Sequence, residues 1–421
     1  MLLKKNMKNS QLSNVITLGV GTIIAQSINI IIQPILTRLI TPEELGIYSF
    51  IINMANIIIP IASLKLTMLV VISEDEIKAD RLTATSIFTA FLISFISLLF
   101  LTIMLIIGDN IFSSVGILIL VVPFIILTNG IRFVFTSHNN REKKYKLMSK
   151  VDILREILKG IIQIFSGIFG GGALGQAIGY AASPLLGLKL QAASYLQYKK
   201  RRNRFNFSDI LSVYKENSSH ILYMVPAQLI NSLSYALITF SIIYLFSPKE
   251  VGYYAISYMI LGLPLVLISN NVGRVYLQNL SSLYQDGKSL WRNYLSFVGI
   301  LSAISIVGFT ILALIAPAAT ELIFGFGYSE AGEYIKILCI MYIFRFVASS
   351  VISGYAFFNK QIMDVFFQSI LVIFGLLAHG ITLYFELNIY EYLTLISFSY
   401  ATIYIFIILN LGYISLKYPK K

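Results

Sequence analysis

Long apolar segments alternate with short polar segments along the whole chain. Twelve of the apolar segments are about 20 residues long, the length of an α-helix that crosses a bilayer. They lie near residues 14–36, 47–71, 83–107, 115–136, 151–169, 173–195, 221–246, 253–273, 293–316, 335–357, 362–385 and 392–415. This pattern predicts an all-α integral membrane protein with twelve transmembrane helices.

Two short motifs recur about half a chain apart. Residues 39–48 return as residues 245–254, with a proline, a glutamate, a glycine and a tyrosine in register at an offset of 206. Arg132-Phe133-Val134 returns as Arg345-Phe346-Val347 at an offset of 213. Duplicated halves in an apolar chain are typical of transporters built from two bundles. The sequence therefore predicts two six-helix bundles related as repeats.

The repeats divide the chain into three predicted regions: an N-terminal bundle (1–195), a cytoplasmic linker (196–220) and a C-terminal bundle (221–421). The linker begins with a basic run at 199–204, which by itself is best explained as a topology anchor. Its apolar residues recur at i, i+3, i+4 and i+7. This spacing predicts a short amphipathic helix lying in the membrane interface, and the residues are Phe207, Ile210, Leu211 and Tyr214.

Lysine and arginine indicate how the chain is oriented. With the N-terminus inside, 23 of the 32 basic residues fall in the inner loops, whereas only Arg38 and Lys249 fall in the outer loops. This asymmetry predicts that both termini are cytoplasmic. An even number of spans separates the two echoed loops, so both face outward and the halves are parallel repeats. We interpret these loops as scaffold, in which Pro42 and Pro248 start or end helices and Gly46 and Gly252 ease the turns.

Composition agrees with this architecture. Hydrophobic residues make up 57% of the chain and charged residues 12%, with a mean hydropathy of +0.78. Soluble globular chains carry about 25% charged residues, so that class is excluded. The net charge of +12 is distributed as a topology signal, and we expect no nucleic-acid partner.

Residues that could carry enzymatic chemistry are sparse. Cys339 is the only cysteine, and three scattered histidines lack metal-ligand spacing, so we predict no metal site. No Walker-type phosphate loop occurs, which favours a secondary transporter or a facilitator. We therefore expect no cofactor beyond a coupling H⁺ or Na⁺.

Charged residues inside the predicted spans are the candidate binding residues, because a charge at the bilayer centre costs about 3 kcal/mol. Arg345 lies too deep in the tenth span to reach water easily, so it should face a cavity or an acidic partner. Its repeat counterpart Arg132 lies near an inner end, where its side chain could instead extend to the interface. Lys65 in the second span is intermediate in depth.

The fifth span carries a polar stripe at i, i+3, i+4, i+7 and i+11, namely Asp152, Arg155, Glu156, Lys159 and Gln163. The stripe must point inward, and it either holds cargo or forms ion pairs that lock helices together. We assign Arg345, Lys65, Arg132, Lys159 and Arg155 to a cationic cavity. Asp152 and Glu156 are assigned to a gating or structural role. Surplus positive charge favours an anionic cargo, such as a phosphate or pyrophosphate group.

Several segments resemble the polysaccharide (O-antigen, Wzx-type) flippases, a branch of the superfamily that also contains multidrug and toxin exporters. The similarity is most specific in Gln33–Tyr48 and continues in Ile61–Leu66, Arg141–Tyr145 and Phe324–Ile335. By this resemblance, Lys65 occupies a position where the family often has arginine. Arg38 matches the family's arginine after the first span, with a gating or structural role.

The resemblance implies two six-helix bundles that form a V opening to either face of the bacterial cytoplasmic (inner) membrane. It also implies alternating-access transport of undecaprenyl-pyrophosphate-linked oligosaccharide, for O-antigen of lipopolysaccharide or for capsule. Expected partners are the lipid-linked oligosaccharide, membrane lipids, a polysaccharide polymerase and a chain-length regulator. No enzymatic activity is expected.

Two other functions remain open. A cation-coupled multidrug exporter of the same fold would be expected to hold a carboxylate deep in a bundle, and the acids Asp152, Glu156 and Asp364 lie near inner ends. A membrane enzyme such as an O-antigen polymerase matches in size, but it would need a larger outer loop than residues 317–333 provide.

Overall fold

The computed structural model describes residues 2–108, 115–199 and 207–418. These residues form helices and connecting turns, without a strand among them. The α-helices are α1 (Leu2–Leu36), α2 (Pro42–Ile58), α3 (Leu66–Ile72), α4 (Glu76–Ile107), α5 (Val121–Arg141), α6 (Tyr145–Ile168), α7 (Gly172–Ala182), α8 (Leu188–Lys199), α9 (Phe207–Glu216), α10 (Ser218–Leu245), α11 (Pro248–Pro264), α12 (Asn270–Gln285), α13 (Leu290–Phe324), α14 (Ser329–Val351), α15 (Gly354–Phe357), α16 (Gln361–Phe385) and α17 (Ile389–Lys417).

Ten helical segments within the described residues are long and apolar enough to cross a membrane. The predicted fifth and sixth spans are helical but are not among these ten. The fifth corresponds to α6, which carries four charged residues between 151 and 168. The sixth is interrupted by a 3₁₀ turn at Ser183–Leu185 between α7 and α8. The all-α membrane fold is confirmed, whereas the count of twelve spans stays a prediction.

The chain divides into two compact units, Met1–Ser232 and Leu233–Lys421, and α10 contains the division. This division does not test the three regions predicted from the sequence, 1–195, 196–220 and 221–421, which stay a prediction. Each unit is described separately below.

The first echoed loop forms a helix start. Thr41 caps α2: its hydroxyl accepts from the Glu44 amide, and the Glu44 carboxylate accepts in return from the Thr41 amide at 2.8 Å. Pro42 occupies the first helical position, where its missing N–H costs nothing. Gly46 lies buried inside α2. The expectation that this glycine eases the turn was therefore wrong.

The second echoed loop begins α11 in the same manner. Ser247 accepts from the Glu250 amide at 3.3 Å, and Pro248 again lies in the first turn. Gly252 is also buried inside its helix, so it does not ease a turn either. The Glu250 carboxylate accepts a hydrogen bond from the Tyr334 hydroxyl. The repeated sequence is thus a helix-capping signal used once in each unit.

The second predicted span is broken near its middle. α2 ends at Ile58, a 3₁₀ turn covers Ile59–Ile61, and α3 begins at Leu66. Leu64 and Lys65 between them have positive φ angles of 50° and 61°. At the offset of 206 that relates the loops, this turn corresponds to the π-helical segment Leu265–Ser269. Both units therefore interrupt the helix that follows their capped loop.

Small residues let α6 pack closely on both of its neighbours in the first unit. A Cβ at Gly160 would lie 2.0 Å from Ile32 of α1, and one at Gly175 of α7 would lie 1.4 Å from Ser166. A Cβ at Gly179 would lie 2.7 Å from Gln163. Side chains at these positions would force the helices apart, so close packing requires glycine at each of them.

The predicted amphipathic helix of the linker is α9. It does not rely on the membrane alone: Ile210 and Val213 are buried, and Val213 packs with Leu66 of α3. The Tyr214 hydroxyl lies 2.7 Å from the Thr89 hydroxyl of α4. Phe207 and Leu211 remain exposed on the other apolar edge. The part of the basic run from 200 onward lies outside the described residues.

In the second unit, α13 and α14 form a close pair. A Cβ at Gly332 would lie 2.3 Å from the Pro317 Cα atom, so only glycine fits there. α14 also packs on α17, where the Ser397 hydroxyl donates to the Ile337 carbonyl at 2.9 Å. These contacts fix α14, which carries Arg345.

Candidate functional site

The polar stripe of α6 forms an ion-pair network within the first unit. At the N-terminal end of the stripe, Arg132 of α5 donates through Nη1 to Asp152 Oδ1 at 3.4 Å. The Arg132 guanidinium carbon also lies 4.4 Å from the centre of the Phe133 ring. Arg132 therefore has an acidic partner, and only 11% of its side chain is exposed.

One helical turn further along α6, Glu156 lies between two cations. Its carboxylate pairs with Arg155 through one oxygen and with Lys159 through the other. Lys159 also donates to Asn29 Oδ1 of α1 at 2.9 Å and lies 6.0 Å from the Tyr180 ring of α7. Lys159 thus joins α1 and α6, and Glu156 neutralises much of the local positive charge.

The far end of the stripe is neutral. Gln163 donates to the Gln176 carbonyl at 3.0 Å, and Gln176 donates to the Gln163 carbonyl at the same distance. Gln163 also donates to the Tyr48 hydroxyl at 3.1 Å. The arrangement is that of polar groups which satisfy each other between packed helices.

Lys65 is placed differently. It lies in the break between α2 and α3, half-buried, with Nζ donating to Gln228 Oε1 of α10 at 2.7 Å. Within the described ranges, no carboxylate forms a salt bridge with it. Non-helical backbone at membrane depth is tolerated where it is buried in protein or lines a cavity. Among the residues that the structure describes, the partner of the Lys65 ammonium is thus a neutral amide.

Arg345 of α14 lies in a cage of tyrosines within the second unit. Its guanidinium carbon is 4.5 Å from the ring centre of Tyr235, 5.0 Å from that of Tyr342 and 5.9 Å from that of Tyr258. Nη1 donates to the Tyr342 hydroxyl at 3.1 Å. The buried Tyr404 is an electrostatic neighbour of Arg345, and its hydroxyl has no hydrogen-bond partner within the described residues.

Arg345 has no salt-bridge carboxylate in the part of the chain that the structure describes. The neighbours of the Arg345 guanidinium are therefore aromatic rings rather than an acidic partner. Aromatic rings attract a guanidinium through their negative faces. Most of its five N–H donors are not used by the cage.

The five candidate cations thus fall into two kinds. Arg132 is paired with Asp152, and Arg155 and Lys159 are paired with Glu156. These contacts agree with the alternative in which the polar stripe forms ion pairs. Lys65 and Arg345 contact only neutral groups within the described residues. Arg38 is exposed in the turn after α1 and donates to the Pro34 carbonyl at 2.8 Å.

Sequence reasoning missed the neutral partners. They are Asn29, Gln228, Tyr235, Tyr258 and Tyr342. Only Tyr342 left a local signal, because it precedes Arg345 by three residues on one helical face. The others come from distant helices, and 26 tyrosines in the chain gave no reason to choose these. No group of three or more metal-binding side chains was found among the described residues.

Solved structures of known transporters share this fold. The lipid II flippase MurJ, in an inward closed conformation, has a TM-score of 0.72 at 13% identity, covering 94% of this chain and 87% of that one. An inward-facing multidrug resistance MATE family transporter of the MOP superfamily has a TM-score of 0.66 at 16% identity, covering 94% and 96%. The chain therefore shares the fold of these MOP superfamily structures, and its apolar helices make it a multi-pass membrane protein.

A third similar structure is a MOP superfamily transporter from Pyrococcus furiosus, with a TM-score of 0.60 at 17% identity over 97% of this chain and 96% of that one. No curated protein sequence matches the chain. The sequence model of the polysaccharide biosynthesis protein family matches residues 35–333. The chain belongs to this family, and the resemblance to the polysaccharide flippases is confirmed.

Proposed function

We propose that the protein is a flippase for undecaprenyl-pyrophosphate-linked oligosaccharide, of the O-antigen or capsule type. It moves the repeat unit from the inner to the outer leaflet of the bacterial cytoplasmic membrane, with both of its own termini cytoplasmic. The single observation that carries this proposal is Arg345, a charged side chain in a membrane helix that contacts tyrosines and, within the described residues, no carboxylate. Membership of the polysaccharide biosynthesis family supports the cargo class.

The tyrosine cage suits a cargo that is both anionic and sugar-bearing. Desolvating a charge without a partner is costly, so an arginine at this depth is retained for a function. Three rings offset part of that cost while leaving guanidinium donors for phosphate or carboxylate oxygens. Tyrosine also offers an apolar face for a sugar ring and a hydroxyl for its polar groups.

Lys65 is the second cation that we assign to the cargo. It contacts an amide and, within the described residues, no carboxylate, so an anionic oxygen would be a stronger partner than the one it has. Arg132, Arg155 and Lys159 are assigned to holding helices together, because each already has a carboxylate. This narrows the cationic site proposed from the sequence to two residues.

The mechanism that we propose is alternating access, with the lipid tail remaining in the bilayer while the head group crosses. A H⁺ or Na⁺ gradient would supply the energy, since the sequence contains no Walker-type loop. A polysaccharide polymerase would use the delivered units, and a chain-length regulator would act with it.

The test is complementation of a strain that lacks the gene, with surface polysaccharide as the readout. Arg345→Ala and Lys65→Ala are each expected to reduce it at least tenfold, because a buried charge contact is worth about 2–5 kcal/mol. Lys336→Ala is the matched control, since Lys336 is an exposed cation on the same helix as Arg345 and pairs with Glu333. Normal surface polysaccharide in both variants, at normal protein levels, would refute the cationic site.

A multidrug exporter is the second candidate, favoured by the similarity to a MATE structure. That function predicts drug resistance on overexpression and unchanged surface polysaccharide on deletion. Our proposal predicts no drug resistance on overexpression and a loss of surface polysaccharide on deletion.

A further inference from the structure

Lys65 has a backbone conformation that its neighbours must hold. Both Leu64 and Lys65 adopt left-handed φ angles, of 50° and 61°, a conformation that is strained for residues other than glycine. His220 Nε2 donates to the Lys65 carbonyl at 3.3 Å, while Lys65 Nζ donates to Gln228 Oε1 at 2.7 Å. Both partners belong to α10. One helix therefore holds the main chain and the side chain of the same lysine.

The amide of Gln228 is fixed at both ends. Its Nε2 donates to the Ser232 hydroxyl at 3.2 Å, one turn further along α10. With the nitrogen used in this way, the oxygen faces the Lys65 ammonium, which can only donate. The amide is thus pre-set as an acceptor for the lysine.

A neutral acceptor is a replaceable partner for a cation. Hydrogen bonds to an ionised acceptor are roughly twice as strong as those to a neutral one. An anionic oxygen of the cargo would therefore compete well against the Gln228 amide. A glutamate at the same place would not be displaced so readily, because it would neutralise the ammonium.

We propose that Gln228 is a positioning residue that occupies the Lys65 ammonium between transport events and that the anionic group of the cargo displaces it. The inference rests on the proposed function, since it requires an anionic cargo. α10 continues past Ser232 into the second unit. Displacement of Gln228 removes one of the two hydrogen bonds by which α10 holds Lys65.

Gln228→Glu and Gln228→Ala separate this role from others. Purified protein in detergent is titrated with undecaprenyl pyrophosphate and, separately, with an acidic oligosaccharide that has no lipid, which distinguishes pyrophosphate from sugar carboxylate as the source of the anion. Gln228→Glu is expected to weaken binding of the probe that carries the recognised anion at least tenfold, which lowers the affinity to that of Lys65→Ala. Gln228→Ala is expected to bind equally well or a few-fold more tightly, because it removes a competitor.

Ser219→Glu is the matched control, since it adds the same charge to an exposed position of the same helix; we expect wild-type binding. If Gln228→Glu fails to fold, the exchange Lys65→Gln with Gln228→Lys decides: restoration of binding above that of Lys65→Gln alone supports the pairing, and no restoration overturns it.

Two outcomes overturn the inference while leaving the proposed function intact. Wild-type affinity in Gln228→Glu would mean that the amide is irrelevant to the lysine. A loss in Gln228→Ala as large as in Gln228→Glu, at an unchanged melting temperature, would make Gln228 a direct ligand. If the wild-type protein binds neither probe, the proposed function fails, and the inference fails with it.

Discussion

Arg132 and Arg345 occupy matching positions of the repeat, yet their surroundings differ. Arg132 pairs with Asp152, twenty residues further along the chain. The second unit also has an acid at nearly the same separation, Asp364, but Arg345 does not pair with it within the described contacts. Instead, Tyr235, Tyr258 and Tyr342 surround the Arg345 guanidinium.

Arginines at matching positions of the two repeats can therefore serve different purposes. Ion pairs between packed helices fix their geometry, and breaking them by removing one partner is costly. An arginine held by aromatic rings keeps its net charge and most of its donors. Arg132 thus serves to hold helices together in the first unit, whereas we propose that Arg345 in the second unit remains available to the cargo.

The largest expected effect is on the stability of the first unit. Glu156→Gln would leave Arg155 and Lys159 without their carboxylate, which costs about 3–5 kcal/mol in the free energy of unfolding. Denaturant titration in detergent measures this cost. Glu333→Gln, which breaks an exposed pair in α14, should cost less than about 1 kcal/mol. Equal costs in both variants would contradict an assembly role for the α6 network.

The next largest effect is expected when Arg345 of the second unit is given a carboxylate partner, as Arg132 of the first unit has in Asp152. Tyr258→Glu would place a carboxylate beside the Arg345 guanidinium, which lies 5.9 Å from the present ring centre. Neutralising the arginine should lower transport of the lipid-linked oligosaccharide about tenfold or more. Transport is measured in proteoliposomes. Tyr244→Glu, at another exposed tyrosine of this unit, serves as the control. Full transport in Tyr258→Glu would show that the free charge of Arg345 is not required.

A smaller effect is expected from removing single rings of the cage. Tyr235→Ala should weaken cargo binding by about 0.5–2 kcal/mol, or roughly 2- to 30-fold, since Tyr235 provides the ring nearest to Arg345. Tyr235→Phe keeps the ring and should retain most of the affinity. The two variants can be compared by titration with undecaprenyl pyrophosphate. An equal loss in both would assign the effect to the hydroxyl group rather than to the ring.

The smallest effect concerns the repeated caps. Thr41→Ala and Ser247→Ala should each reduce the free energy of unfolding by about 1 kcal/mol, with transport unchanged. Thr41→Ala should cost slightly more, because its capping box is reciprocal whereas Glu250 bonds Tyr334. Thermal unfolding with parallel transport measurements tests both. Loss of transport in either variant, at unchanged stability, would give the loops a role beyond scaffold.

The sequence was sufficient for the membrane class, the family and the repeat, because hydropathy and duplicated motifs are local signals. It also predicted the polar stripe of α6, of which Glu156, Lys159 and Gln163 are buried, whereas the depth of Arg345 in the membrane stays a prediction. The sequence could not show which cations have a carboxylate partner and which a neutral one, since Gln228, the partner of Lys65, lies 163 residues away in the chain. Pro60 inside the second span predicts an interruption of that helix, but it does not predict the positive φ angles of Leu64 and Lys65. The role expected for the two glycines of the repeat was wrong because both lie buried inside helices rather than in turns.

The polarity of α6 bears on how the protein enters the membrane as it is synthesised. A helix with four charges within 151–168 is a poor substrate for insertion by itself. Its partners on α1 and α5, Asn29 and Arg132, both precede it in the chain. They have left the ribosome before α6 emerges, so the hydrogen-bonding groups that α6 needs are already in place. We expect α6 to insert as the third member of a preassembled group, and moving it ahead of α5 by circular permutation would strand it outside the bilayer.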